Sequence, residues 1–213
     1  MTVLLTGYEP FGDDDENPTQ TLAEELDGET VGDHEIVGRV LPVEYAVAAD
    51  EMATLVTDYD PEVIVSTGLA AGRSAISVER VGINVNDHGG VADNAGAEPR
   101  DEPIDVDDAD AYLSTLPVVS VVESLLGAGI PARVSNTAGT HLCNNILYST
   151  RSLVEREELE IPVGFVHVPL TPAMAAEKAS EGEATAGGAV KASLPLELQK
   201  RAVELTFETT LDG

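Results

Sequence analysis

The sequence predicts an α/β fold, a single-domain α/β/α sandwich with a mostly parallel central sheet over residues 1–213. Three observations carry that expectation. Apolar, often β-branched runs alternate with segments whose apolar residues recur at helical spacing. Those runs are continuous rather than alternating, as strands buried on both faces require. No repeat and no linker divides the 213 residues, a length that supports one sizeable core.

The elements follow in order. Val3-Leu4-Leu5-Thr6, ending at Gly7, predicts a buried first strand. Tyr8-Glu9-Pro10-Phe11-Gly12 is a loop with two aromatics in a chain of five Tyr, three Phe and no Trp. Asn17 is placed to cap a helix with Pro18 at its first position, Leu22 and Leu26 on one face, and Gly28 as its stop. Ile36 to Val43 reads as a second strand. Glu44 to Tyr59 reads as a helix ended by Asp60-Pro61. Val63-Ile64-Val65 is a third strand, with Thr67 to Arg73 as its Gly-rich exit. That exit matches neither the P-loop nor the dinucleotide fingerprint, so no nucleotide site is assigned. Ile76 to Asn86 is strand-like and carries Glu79-Arg80. His88 to Glu102 is a long polar loop of the kind that often carries function. Pro117 opens a helix that ends at Gly127. Ala132 to Ser135 is a strand, and Val163 to Val168 is another, stopped by Pro169. Thr171-Pro172 opens a short helix, residues 180–192 form a mobile surface segment, and Ser193-Leu194-Pro195 starts the last helix.

Charge excludes several functions. Thirty-nine acidic residues against eleven basic ones give −28. Nucleic acid and anionic lipid would be repelled. The acids are spread along the chain, and lysine is confined to Lys178, Lys191 and Lys200. Such a surface is that of a protein from a salt-rich cytoplasm, where salt screens self-repulsion. The N-terminus has no basic, apolar leader and no run is long enough for a membrane span, so a soluble cytoplasmic protein is expected. One cysteine means no intramolecular disulfide.

That cysteine lies in Ser135-Asn136-Thr137-Ala138-Gly139-Thr140-His141-Leu142-Cys143-Asn144. The spacing places Cys143 in the first turn of a helix at the carboxyl end of a strand, with Thr140 as N-cap. Unpaired N–H groups there favour a thiolate and can hold an oxyanion. The alternative is a small buried apolar residue. His167, at the end of an apolar strand, reads equally as a satisfied core histidine or as the base for Cys143. His141 is two residues from Cys143 and a poor base for it. His34 reads as solvated, and His88 is left open. Glu79 in an apolar strand needs a partner, and Arg80 points to the other face. It is either half of an internal salt bridge or the acid that orients His167. No metal-ligand spacing occurs.

Four ordered motifs give the chain a resemblance to the pyrrolidone-carboxylate peptidases (pyroglutamyl peptidase type I) over nearly its whole length. They are Leu5-Thr6-Gly7-Tyr8-Glu9-Pro10-Phe11-Gly12 with Asn17-Pro18, Gly68 to Arg73 with Val78-Glu79-Arg80-Val81, the cysteine stretch, and Gly164-Phe165-Val166-His167-Val168-Pro169. The resemblance implies a cysteine exopeptidase that removes N-terminal pyroglutamyl residues from peptides. It implies Cys143 as nucleophile, His167 as base and Glu79 as orienting acid. It also implies no cofactor and a homo-oligomer, dimer or tetramer. The substrate ring would lie against Tyr8 and Phe11, with Asn17 and backbone near Leu69 completing the pocket. Aromatic faces suit a flat lactam, and a charged amino terminus would be desolvated there without a partner. Two departures stand out: Tyr8 where the family usually has Phe, and no arginine before Asp93-Asn94, a place that His88 or another donor would have to fill. The rivals are an inactive pyroglutamate-binding homologue, a phosphorylase-like α/β transferase, and a purely structural acidic protein.

Overall fold

The structure is a computed structural model and describes residues 1–181 and 189–213. Residues 182–188, inside the segment expected to be mobile, lie outside the described residues. The strands are β1 (Thr2–Tyr8), β2 (Thr30–Val31), β3 (His34–Leu41), β4 (Ile64–Leu69), β5 (Ile76–Glu79), β6 (Val81–Ile83), β7 (Ala111–Leu113), β8 (Ala132–Ser135) and β9 (Val163–Val168). The helices are α1 (Pro18–Leu26), α2 (Ala48–Tyr59), α3 (Val118–Gly127), α4 (Leu142–Arg156), α5 (Pro172–Glu181) and α6 (Leu196–Leu211). The main sheet runs β2-β3-β1-β4-β9-β5-β8. Pairs β1–β3, β1–β4, β4–β9 and β5–β8 are parallel, while β2–β3 and β5–β9 are antiparallel.

The continuous apolar strands are buried on both faces because each face packs helices. One core joins Leu22, Val121 and Ala202, from α1, α3 and α6, to Val3, Val65 and Val166. The other joins Met52 and Ile146, from α2 and α4, to Leu4, Ile64 and Phe165. This is the expected α/β/α arrangement. Helix α1 begins as its sequence requires, with Asn17 Oδ1 accepting from Thr19 N at 3.0 Å and Pro18 in the first turn. It lies so close to β1 that a Cβ on Gly7 would sit 1.9 Å from Thr19 O. Among the described residues no helix is long and apolar enough to cross a membrane.

Several local expectations are corrected. Thr67 to Leu69 continue β4, because they pair with Val166 to Val168 of β9. The run Ile76 to Asn86 is not one strand: β6 leaves the main sheet to pair with β7. His34 is not merely solvated: it begins β3, with Nε2 3.0 Å from Glu62 Oε2. Thr140 does not cap α4. The N-cap is His141, which makes no side-chain capping bond, and the Thr140 hydroxyl donates to Asp87 O at 3.2 Å. Strands β8 and β9 also run in opposite directions, because β5 pairs antiparallel with β9 and parallel with β8. Their carboxyl ends therefore do not share one edge of the sheet. Residues 136–141 lead from β8 into α4, the helix that carries Cys143.

Candidate active site

The strand registers collect the polar residues. Glu79 of β5 pairs with Phe165 of β9 and with Ser135 of β8. His167 pairs with Ser77 on one side and Gly68 of β4 on the other. Phe165 and His167, two apart on β9, share a face. Their rings lie 4.9 Å apart.

Glu79 and His167 meet directly. His167 Nδ1 lies 2.8 Å from Glu79 Oε1 in a buried site where the Glu79 side chain has no exposed surface. An ionised carboxylate only accepts, so Nδ1 carries the proton and donates it. In the neutral ring that leaves Nε2 as the basic nitrogen. Burial opposes ionisation of Glu79, but the His167 hydrogen bond and charge, with Ser135 and Arg73, hold its carboxyl below the usual carboxylate range. Burial also pushes the His167 imidazole down, against the pull of Glu79 and with the help of the Arg73 charge.

Cys143 approaches from α4. Its Sγ lies 2.7 Å from where a Gly68 Cβ would be, and Phe165 Cζ is 2.8 Å from the same point. Only glycine leaves room for sulfur over the strand position that neighbours His167. The three residues singled out from sequence therefore gather at one place on the sheet. The expected easy ionisation of Cys143 does not hold. Burial, reinforced by the Glu79 charge, pushes the thiol up to about 12, with Arg73 opposing. The first-turn N–H groups do not outweigh desolvation here. They remain available: Leu142, Cys143 and Asn144 have no carbonyl four residues back within the helix.

Beside the thiol is a slot lined by Tyr8, Phe11, Asn17, Leu69 and His141 together with Cys143. Tyr8 is buried, and its hydroxyl donates to Leu142 O at 2.9 Å, so the extra oxygen has a partner. Asn17 Oδ1 accepts from Thr19 N and Thr19 Oγ1, and one Nδ2 proton goes to Glu9 O. Phe11 and His141 face each other with ring centroids 6.3 Å apart and planes 26° apart. A flat ring between them needs about 7 Å, two carbon contact distances. The loop 87–102 closes this region. Asn94 Nδ2 donates to Glu9 Oε1 at 2.7 Å and to Pro10 O at 3.0 Å. His141 Nε2 donates to Val91 O at 3.1 Å. His88 is buried, its Nδ1 has no partner among the described residues, and it is not among the residues lining the slot.

Sequence reasoning missed two residues here. Its spacing from Cys143 makes His141 a poor base for that thiol, and its flat ring is a wall of the slot. Arg73 was quoted within a motif and given no role, yet it pairs with Glu79. The signal was present: a carboxylate in an apolar strand calls for a cation, and Arg80 was excluded by strand alternation. Arg80 donates instead to Asn136 Oδ1 at 2.7 Å. Both readings of Glu79, salt bridge and histidine partner, are realised at once.

Comparison with known proteins decides the family. The pyroglutamyl peptidase family model matches residues 1–212. The chain belongs to the pyroglutamyl peptidase family. The pyrrolidone-carboxylate peptidase of Pyrococcus furiosus is 38% identical over 212 residues, 100% of this chain and 99% of that protein. That of Oceanobacillus iheyensis is 43% identical over 173 residues, 81% of this chain and 86% of that one. Among solved structures, a mutant pyrrolidone carboxyl peptidase from P. furiosus superposes with a TM-score of 0.94 at 37% identity, covering 100% of this chain and 99% of that one. The Thermococcus litoralis pyrrolidone carboxyl peptidase gives 0.93 at 38%, covering 99% and 93%. This pyroglutamyl peptidase family member thus shares both length and topology with its relatives, and the Glu79–His167 pair and the Cys143 slot sit within the matched region.

Proposed function

We propose that residues 1–213 act as one peptidase domain that removes N-terminal pyroglutamyl residues from peptides, with Cys143 as nucleophile, His167 as base and Glu79 as its orienting acid. The observation that carries this reading is the 2.8 Å bond from His167 to buried Glu79, with the Cys143 sulfur seated over Gly68 beside the ring slot. The pyroglutamyl ring enters between Phe11 and His141 as the two part by roughly 1 Å, in the slot that Tyr8 also lines. The second Nδ2 proton of Asn17 and backbone near Leu69 meet its polar edge. An ordinary charged amino terminus finds no partner among these groups.

Because the free thiol is held protonated, its proton leaves as the bond forms rather than before. Sγ attacks the carbonyl carbon, the Sγ proton passes to His167 Nε2, and the carbonyl oxygen takes the electron pair. First-turn N–H groups of α4 receive that oxyanion. His167 then donates the proton to the leaving amine as the C–N bond breaks. A water molecule then attacks the thioester carbonyl carbon as His167 takes its proton; the C–Sγ bond breaks, His167 returns the proton to Sγ, and pyroglutamate leaves with the thiol restored. The lone cysteine must stay reduced for this chemistry, which suits a cytoplasmic protein. A homo-oligomer, dimer or tetramer, completes the reading.

The test is release of pyroglutamate from a chromogenic pyroglutamyl amide. Cys143→Ala and Cys143→Ser are expected to abolish it while ring binding persists. Turnover retained by either variant removes Cys143 from the mechanism. Binding of pyroglutamate without turnover by the unsubstituted protein, at every salt concentration, favours a binding homologue instead.

A further inference from the structure

Arg73 leaves the end of β4 and reaches across the site. Its Nη1 pairs with Glu79 Oε1 and lies 3.5 Å from His167 Nδ1. Its Nη2 donates to Thr137 O at 2.9 Å, in the stretch that leads to the nucleophile helix. The Arg73 side chain is largely covered, and Glu79 is fully so. Among the described residues Glu79 Oε2 has no hydrogen-bond partner. Both strong donors, Arg73 and His167, therefore converge on a single carboxylate oxygen.

A buried carboxylate with only a histidine beside it has two ways to relieve its charge. It can keep a proton, or it can turn the imidazole into an imidazolium. Either state removes the base from the reaction. A fixed guanidinium resolves this: the pair Glu79–Arg73 is neutral, so the carboxylate stays ionised and the imidazole stays uncharged. We propose that Arg73 is a positioning residue for the reaction, holding the Glu79 carboxylate on His167 and keeping that imidazole neutral and ready to accept the Cys143 proton. The proposal rests on the reading of Cys143, His167 and Glu79 given above.

Among the described residues the groups around His167 are Glu79 from β5, Arg73 from the turn after β4, the Phe165 ring on its own strand, and Cys143 from α4, seated over the neighbouring Gly68. Of the two charges among them, Glu79 raises its proton affinity and Arg73 lowers it. Removing Arg73 therefore moves His167 upward. The acid limb of kcat/KM reports this group in the free enzyme.

The experiment measures kcat and KM against pH for Arg73→Gln, Arg73→Lys and Cys143→Ala on a pyroglutamyl amide. The pH dependence of iodoacetamide alkylation of the single cysteine is the second readout. In Arg73→Gln the acid limb is expected to move to higher pH by roughly one to two units. Its kcat at neutral pH should fall at least about tenfold, with KM little changed. The onset of alkylation should shift as well. Arg73→Lys, which keeps the charge, should return the acid limb toward its original place. An Arg73→Gln enzyme that is merely slower, with the acid limb unmoved and Cys143→Ala inactive, overturns the inference and leaves the catalytic reading standing. Turnover by Cys143→Ala overturns both. If Arg73→Gln does not fold, nitrogen NMR of His167 in the unsubstituted protein decides. A neutral ring protonated at Nδ1 at pH 7 is expected, and an imidazolium there refutes the proposal.

Discussion

Replacing Gly68 with alanine tests whether empty space on the sheet seats Cys143, the proposed nucleophile. The new Cβ would lie 2.7 Å from Cys143 Sγ and 2.8 Å from Phe165 Cζ. Ordinary contacts between such atoms are about 3.5–4.0 Å, so one neighbour must retreat by about 1 Å. Phe165 is fully buried and packed against His167, and its displacement would move that imidazole, the proposed base. Sulfur at the start of α4 is the freer of the two. A 1 Å misplacement of a reacting group costs about a hundredfold in rate, so kcat/KM for a pyroglutamyl amide should fall by about that factor. Overpacking should cost roughly 1–3 kcal/mol. In a chain of this size that lowers Tm by about 2–4 °C for each kcal/mol. The assay pairs steady-state kinetics with a thermal melt. A folded Gly68→Ala protein with unaltered kcat/KM would show that sulfur does not work from this position.

Two further outcomes follow from charge and from the slot. With −28 net charge and only eleven basic residues, self-repulsion is largely unpaired. Raising KCl from about 0.1 M to 1 M shortens the screening length from about 10 Å to 3 Å, and Tm should rise markedly. A melt that does not move across that series contradicts the reading of the surface. His141, a wall of the slot, is pushed below the usual histidine range by burial, against the Val91 carbonyl and Asp93 charge that raise it and with the His88 charge that lowers it. It is therefore held neutral to lower pH than a free histidine, and KM should worsen at acid pH, where protonation would put a desolvated cation in the slot beside Phe11 and the Tyr45 ring. His141→Phe should flatten the acid rise in KM. An identical KM profile in that variant would mean the ring does not contact substrate.

What the sequence determined by itself was local and periodic. Continuous apolar runs mark buried strands, helical spacing marks the covering helices, and Asn17-Pro18 fixes the start of α1, because each signal is written in residues a few positions apart. Motif order also carried the family and the three residues proposed for the chemistry. What only tertiary structure decided is how distant residues share a volume. The antiparallel β5–β9 pairing, which no local pattern encodes, sets Glu79 beside His167 and turns β8 against β9. The same packing partly covers Cys143 and raises its thiol to about 12, reversing what a helix start alone would predict, since desolvation outweighs the dipole. It also brings Arg73 onto the carboxylate and turns His141 toward Phe11. Those contacts depend on burial and charge summed over several strands and loops, and that sum exists only once the chain has folded.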